Sequence, residues 1–381
     1  MNPNQEVISP NIVCDLTNSQ TAYTDFKHIP ALDGLRGIAV LIVMVYHLAL
    51  LVPELKFAAK GGFLGVDIFF VLSGFLITSI LLKEYQKAGQ INLKNFYYRR
   101  FLRLIPAFWA FLIVLYFFGN YILPKNEALM IYSNYNFFFA FSYFMNWHSA
   151  ANEGLTGNLN HVWSLAIEEQ FYIIWSLVLY KAFAEGRGRK QIFLFTVISV
   201  IILIVWRSLR ALTGTDTGVL YYSTDTRIDA LLIGCAASMI YIWQLIPKEI
   251  YADRRFNLIT LLAFFISLWI LFSFSHTDFL LYYGILSVFA ICIAIIILWL
   301  ITRENCLMKS ILEFKPLRWI GHISYGLYLW HYAFYEFAKK NFESVYWQVT
   351  VGIALAFAVS AVSFYLIEKP FLKIKDILHN A

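Results

Sequence analysis

Charge is what this chain has least of. Asp, Glu, Lys and Arg together make up 14% of its 381 residues, against roughly a quarter in ordinary soluble domains. With 60% hydrophobic and 18% aromatic residues and a mean hydropathy of +0.64, that shortage excludes a soluble globular fold. Cysteine is also sparse. Cys14, Cys235, Cys292 and Cys306 show no paired spacing, and two of them fall inside apolar runs. Neither a disulfide framework nor a zinc site is indicated, and no metal is expected. No basic domain stands outside the apolar part, so a nucleic-acid partner is unsupported and the net charge of +6 reads as topology. The first thirty residues lack an apolar h-region, so they read as a cytoplasmic tail rather than a signal peptide.

What the chain does have is long uncharged apolar runs from end to end, the mark of an all-α polytopic membrane protein. About ten transmembrane helices are predicted, near 34–52, 64–83, 103–123, 162–182, 191–208, 226–246, 256–274, 280–301, 321–338 and 346–367. The aromatic piece 134–147 is too short to cross and predicts an interfacial or re-entrant helix on the outer side. Lys and Arg collect in alternate loops: Lys83 to Arg103, Lys181 to Lys190, Lys248 to Arg255 and Arg303 to Arg318. Between Leu123 and His161 the only basic residue is Lys125. An even span count and this bias place both termini in the cytoplasm, with a multi-pass protein in the cell's plasma or inner membrane. The organisation expected is a tail over 1–30, a membrane domain over 31–371 and a second tail over 372–381.

The few polar residues inside the spans are the candidates for function, because ionisable groups in lipid are costly. Arg36 and His47 lie eleven positions apart on the first span, about three turns or roughly 16 Å, hence on one stripe. Snorkelling of Arg36 to the headgroups is the plain alternative. The second span carries Asp67 near its mouth and Ser73-Gly74 in mid-membrane, where Gly74 suits close helix packing. Arg100 and Arg103 share a helix face at the entrance of the third span and can grip one polyanion, or serve as a positive-inside anchor. Glu168 and Glu169 sit about two turns into the fourth span. Glu168 shares a face with Ser164, Tyr172 and Trp175 and is the one expected to point inward. An ion pair with Arg207 or Arg227 is the structural alternative. Arg227 and Asp229 open the sixth span. On the ninth, Ser324, Tyr328, His331 and Tyr335 form a single polar-aromatic stripe, which suggests a lined cavity.

The same residues carry a resemblance. The spaced arginine and histidine, FFVLSGF, Arg-x-x-Arg, WSLAIEEQFY and SYGLYLWH occur in the order in which they stand in the integral-membrane acyltransferase-3 family, from Leu32 to about Phe371. The chain resembles enzymes that move an acyl group, often acetyl, from cytoplasmic acyl-CoA to hydroxyls of extracytoplasmic glycans such as O-antigen, capsule or peptidoglycan, or to macrolide sugars. The resemblance implies His47 as the central catalytic residue with Arg36 as its motif partner, and Arg100 and Arg103 as the groups that handle CoA phosphates. Two departures stand out. The chain ends at Ala381 without the extra span and hydrolase-like domain of some members, and Ala333 follows His331-Tyr332 where a proline is often found nearby.

Chemistry fits that role from the residues up. A CoA thioester carries several phosphates and needs a basic dock, which Arg100 and Arg103 supply. A sugar hydroxyl needs a general base, and histidine suits the task. Glu168 is expected to orient the imidazole, and Ser73 with the tyrosines, Tyr172 among them, to line the channel or steady the developing oxyanion. The expected partners are therefore acyl-CoA, a saccharide acceptor met through loop 124–161, and the bilayer. The rival classes are a transporter or exporter, disfavoured by the lack of an internal repeat, and a non-catalytic membrane partner, disfavoured because every motif residue is present.

Overall fold

The computed structural model describes residues 29–52, 54–55, 60–122, 134–152, 157–303 and 307–380. The tail assigned to 1–30 falls almost wholly outside them, as do Lys125, Cys14 and Cys306. Among the described residues the chain is helical throughout, with no strand. In hydrocarbon no water is present to satisfy backbone N–H and C=O groups, so apolar runs of this length resolve into helices. In chain order these are α1 Pro30–Leu51, α2 Gly65–Ala88, α3 Leu93–Ile122, α4 Asn134–Phe141, α5 Met145–Ala151, α6 Trp163–Ala184, α7 Arg189–Leu212, α8 Thr217–Tyr222 and α9 Ile228–Ile242. There follow α10 Lys248–Ala252, α11 Arg254–Ser273, α12 Ile285–Thr302, α13 Leu307–Leu312, α14 Lys315–His322, α15 Ser324–Asn341, α16 Val345–Ser363, a π-helical turn Phe364–Glu368, and α17 Lys369–Asn380.

Eight helical stretches are long and apolar enough to cross a membrane. They correspond to eight of the ten spans expected. The other two are helical but differ in kind. Helix α9 has 15 residues, about 22 Å of rise against roughly 30 Å of hydrocarbon. It stops where Gln244 takes a φ of 53°. Helix α15 has 18 residues but carries Ser324, His331, Glu336, Lys339 and Lys340, which is too polar a set for a lipid-facing span. Both are enclosed by neighbours instead: α9 packs against α2, α7 and α12, and α15 against α16 and α1.

Piece 134–147 is re-entrant. Helix α4 runs down the side of α3, with Phe137 against Tyr116 at 5.4 Å and Phe141 against Trp109 at 5.8 Å. The chain then turns at Tyr143, whose φ is 57°, and α5 climbs back. That turn is held from α6, where Gln170 Nε2 donates to the Tyr143 carbonyl at 2.8 Å.

The tightest helix contact joins α2 and α9. A Cβ on Gly74 would lie 1.9 Å from the Leu231 carbonyl oxygen, and one on Gly234 would lie 2.1 Å from that of Val71. Backbone therefore meets backbone, which glycine alone allows in a lipid-embedded pair. Gly74→Val is expected to destabilise the protein by about 1–3 kcal/mol, the usual range for overpacking. Gly188→Ala, where nothing lies within 4 Å of the added carbon, is expected to be neutral. Thermal unfolding of the detergent-solubilised variants checks both.

Candidate active site

Helices α1, α2, α3, α6 and α15 enclose a cavity of about 80 Å³, room for several waters in a polar site. Its basic end is formed by Arg36 from α1 and by Arg100 and Arg103 from α3. Arg100 lies 3.8 Å over the Tyr172 ring and 3.9 Å from Glu169, and its Nε has no partner. Among the described residues, Arg36 and Arg103 make neither an ion pair nor a hydrogen bond. Unpaired guanidinium groups beside a polar cavity amount to a site for an anion.

Midway along, Glu168 accepts hydrogen bonds from Ser73 Oγ at 3.0 Å and from Tyr172 Oη at 3.0 Å. Both glutamates face the cavity, so the expectation that only Glu168 points inward needs widening: the cavity wraps around α6 as far as the re-entrant turn. At the far end stands Tyr328, which shares a hydrogen bond of 2.6 Å with Ser164 and donates to the His161 carbonyl at 2.7 Å.

Immediately beyond Tyr328 three histidines meet. His331 Nδ1 lies 2.8 Å from the Leu327 carbonyl oxygen, and an oxygen of that kind only accepts, so Nδ1 carries the proton. In the neutral ring Nε2 is then an acceptor. His47 Nδ1 sits 2.8 Å from that Nε2 and must be the donor. Nε2 of His47 is therefore left unprotonated, as a base. The rings stack at 5.0 Å, and His161, anchored through Nε2 to the Leu329 carbonyl at 3.1 Å, lies 6.4 Å from His47. Tyr332 closes the group at 5.3 Å from His47.

This geometry sorts the residues expected from the sequence. Arg36, Ser73, Arg100, Arg103, Glu168, Tyr172, Ser324 and Tyr328 line one cavity, and His331 joins His47 at its end. Glu168 and His47 are not brought together: the orienting partner of His47 is His331, because α15 rather than α6 faces α1 at that depth. Ser73 and Tyr172 spend their donors on Glu168 and do not face the His47 ring. Asp67, Arg227 and Asp229 do not line the cavity at all. Arg227 donates from Nη2 to Asp67 at 2.9 and 3.1 Å, with both residues about 1% exposed. Asp229 takes Arg207 at 2.8 Å and Ser287 at 2.5 Å. Neither arginine pairs with Glu168. These are closed ion pairs that tie α2 to α9 and α7 to α9 and α12. Sequence reasoning passed over His161, Tyr143 and Tyr332. His161 carries a visible signal as a histidine opening WSLAIEEQFY, whereas Tyr143 and Tyr332 have none apart from the fold.

Compared with known proteins, the profile of the acyltransferase-domain family matches residues 29–368. A peptidoglycan O-acetyltransferase from Listeria monocytogenes is 36% identical over 365 residues, 91% of this chain and 56% of that protein. A Bacillus subtilis protein provisionally named a peptidoglycan O-acetyltransferase is 34% identical over 90% of this chain and 55% of its own length. A Staphylococcus aureus protein provisionally named an O-acetyltransferase is 34% identical over 94% and 59%. The chain thus spans little more than half the length of these relatives. No solved structure gives a significant match.

The closed ion pairs are open to a test of stability alone. Asp67→Asn strands the buried Arg227 guanidinium and is expected to cost about 3–5 kcal/mol, while the double change Asp67→Leu with Arg227→Met recovers most of it. Unfolding curves of the single and double variants in detergent report the difference.

Proposed function

The chain belongs to the acyltransferase-3 family, and from that premise we propose that it transfers an acyl group, acetyl by analogy with its relatives, from acyl-CoA to a hydroxyl of a saccharide. The relatives' printed names, peptidoglycan O-acetyltransferase among them, support a glycan acceptor. The observation that carries the reading is the tautomer chain from Leu327 through His331 to His47, at the end of a cavity whose other end holds three arginines.

Two unpaired guanidinium groups and the free Nε of Arg100 fit the phosphates of a CoA thioester, whose contribution is an activated acyl carbon. Basic loops on that side support a cytoplasmic donor entrance by the positive-inside rule. Roughly 16 Å of α1 separates Arg36 from His47, a gap that suits a phosphate anchor at one end and the reacting acyl group at the other. Arg36, Arg100 and Arg103 bind and orient. Glu168, fixed by Ser73 and Tyr172, holds the cavity wall polar and keeps Arg100 turned inward through Tyr172. His47 Nε2 takes the proton of the acceptor hydroxyl as its oxygen bonds to the acyl carbon. Nδ1–H of His47, donating to His331, steadies the imidazolium that forms, the part played by the third member of a catalytic triad. His47 then returns the proton to the departing sulfur. The rings of Tyr46 and Tyr332, each 5.3 Å from His47, offer flat faces for a sugar.

Transfer of labelled acetyl from acetyl-CoA in membrane preparations tests this. His47→Ala is expected to lower the rate at least about 10²-fold, the range for loss of a general base. His331→Phe keeps a ring but removes the acceptor for Nδ1–H, and is expected to lower kcat with little change in KM for the donor. Arg103→Ala is expected to do the reverse. An unchanged rate in His47→Ala would remove that residue from the chemistry.

A further inference from the structure

Behind the arginine end of the cavity lies a carboxylate that the mechanism above does not use. Helix α16 leaves α-geometry at the π-helical turn Phe364–Glu368, which packs against α3. In an α-helix each residue advances about 100°, so Glu368 would point some 140° away from Ser363. The wider turn brings positions five apart onto one face, and such turns recur at functional sites. Here it carries Glu368 inward to 6% exposure. Glu368 Oε1 has no hydrogen-bond partner, nor do the hydroxyls of Ser360 and Ser363. Room for the carboxylate comes from α15, where a Cβ on Gly326 would lie 3.2 Å from Oε1.

The basic groups acting on this carboxylate are Arg103 and Arg36, the two guanidinium groups that make no ion pair among the described residues. Two unpaired cations and one unpaired anion thus face a common gap, in surroundings where each is expensive alone. We infer that Glu368 is the resident counter-ion of Arg36 and Arg103: it holds both guanidinium groups when no donor is bound and yields them to the donor's phosphates. Glu368 is on this account a positioning residue that acts through the arginines and sets how readily spent CoA leaves. The inference rests on the reading of the cavity as a CoA site.

A merely structural glutamate and a resident counter-ion predict opposite signs. In purified full chain in nanodiscs, Glu368→Gln removes the competing charge. KM for acetyl-CoA and the inhibition constant of free CoA are both expected to fall at least about fivefold, the lower end of ordinary site-to-site coupling, and kcat to fall as release slows. Glu368→Ala is the second charge-removing variant, expected to tighten CoA in the same direction, and Glu368→Asp, which keeps the charge, should stay within about twofold of the parent. In an Arg103→Gln background the gain from Glu368→Gln should shrink, because the two changes act through one contact. Unchanged or weaker CoA affinity in the charge-removing variants overturns the inference while leaving the donor site standing. Failure of the parent chain to bind CoA overturns the donor reading and this role with it.

Discussion

Water is absent from the interior of a membrane bundle, and the placement of every charge in this protein follows from that. A buried ion in such surroundings must be paired, hydrogen-bonded or kept beside a polar space. The chain uses both solutions, in different places. Between α2, α7, α9 and α12 the charges are closed: Arg227 on Asp67 and Arg207 on Asp229, with Ser287 completing the second pair. Between α1, α3, α6 and α15 they are open, with Arg36 and Arg103 unpaired beside a cavity. Closed pairs hold helices together, and open ones wait for a ligand. Composition cannot separate the two kinds, since both read as a lone charge in an apolar run.

Rigidity on one side of the bundle serves the open site on the other. Gly74 and Gly234 let α2 and α9 touch backbone to backbone, and the buried ion pairs lock the same helices in register. Ser73, the neighbour of Gly74, is thereby fixed against Glu168 at 3.0 Å. The re-entrant turn does similar service from the far side. Tyr143 is held at positive φ, a strained conformation for an aromatic residue, by the hydrogen bond from Gln170, and so becomes part of the cavity wall. A polar network behind it, in which Asn146 donates to Thr224 and Thr224 to Gln170, keeps that turn from relaxing into lipid.

The histidine pair shows how a base is made without a carboxylate. A carbonyl oxygen is a permanent acceptor, so Leu327 dictates the tautomer of His331 and, through it, that of His47. Loss of that order would leave the ring free to present either nitrogen. The arrangement needs α1 and α15 side by side at one depth, which the packing of α1 against α14 secures: a Cβ on Gly37 would lie 2.5 Å from the Leu317 carbonyl oxygen.

Much of this is legible in the amino acids themselves. Long apolar runs dictate a helical membrane bundle, because no other structure satisfies its backbone in lipid. Helical periodicity alone puts Arg36 and His47 on one stripe, and Ser324, Tyr328 and His331 on another. Which stripes face each other is a different matter, since His47 and His331 stand 284 positions apart and no local pattern encodes their meeting. For the same reason Glu168 looked like the partner of His47, Asp67 and Arg227 looked like channel residues, and Glu368 looked like the end of a span. Local chemistry decided which groups are costly in lipid, and only the packed helices decided what relieves each of them, because a partner is a neighbour in space and the chain orders residues only along its length.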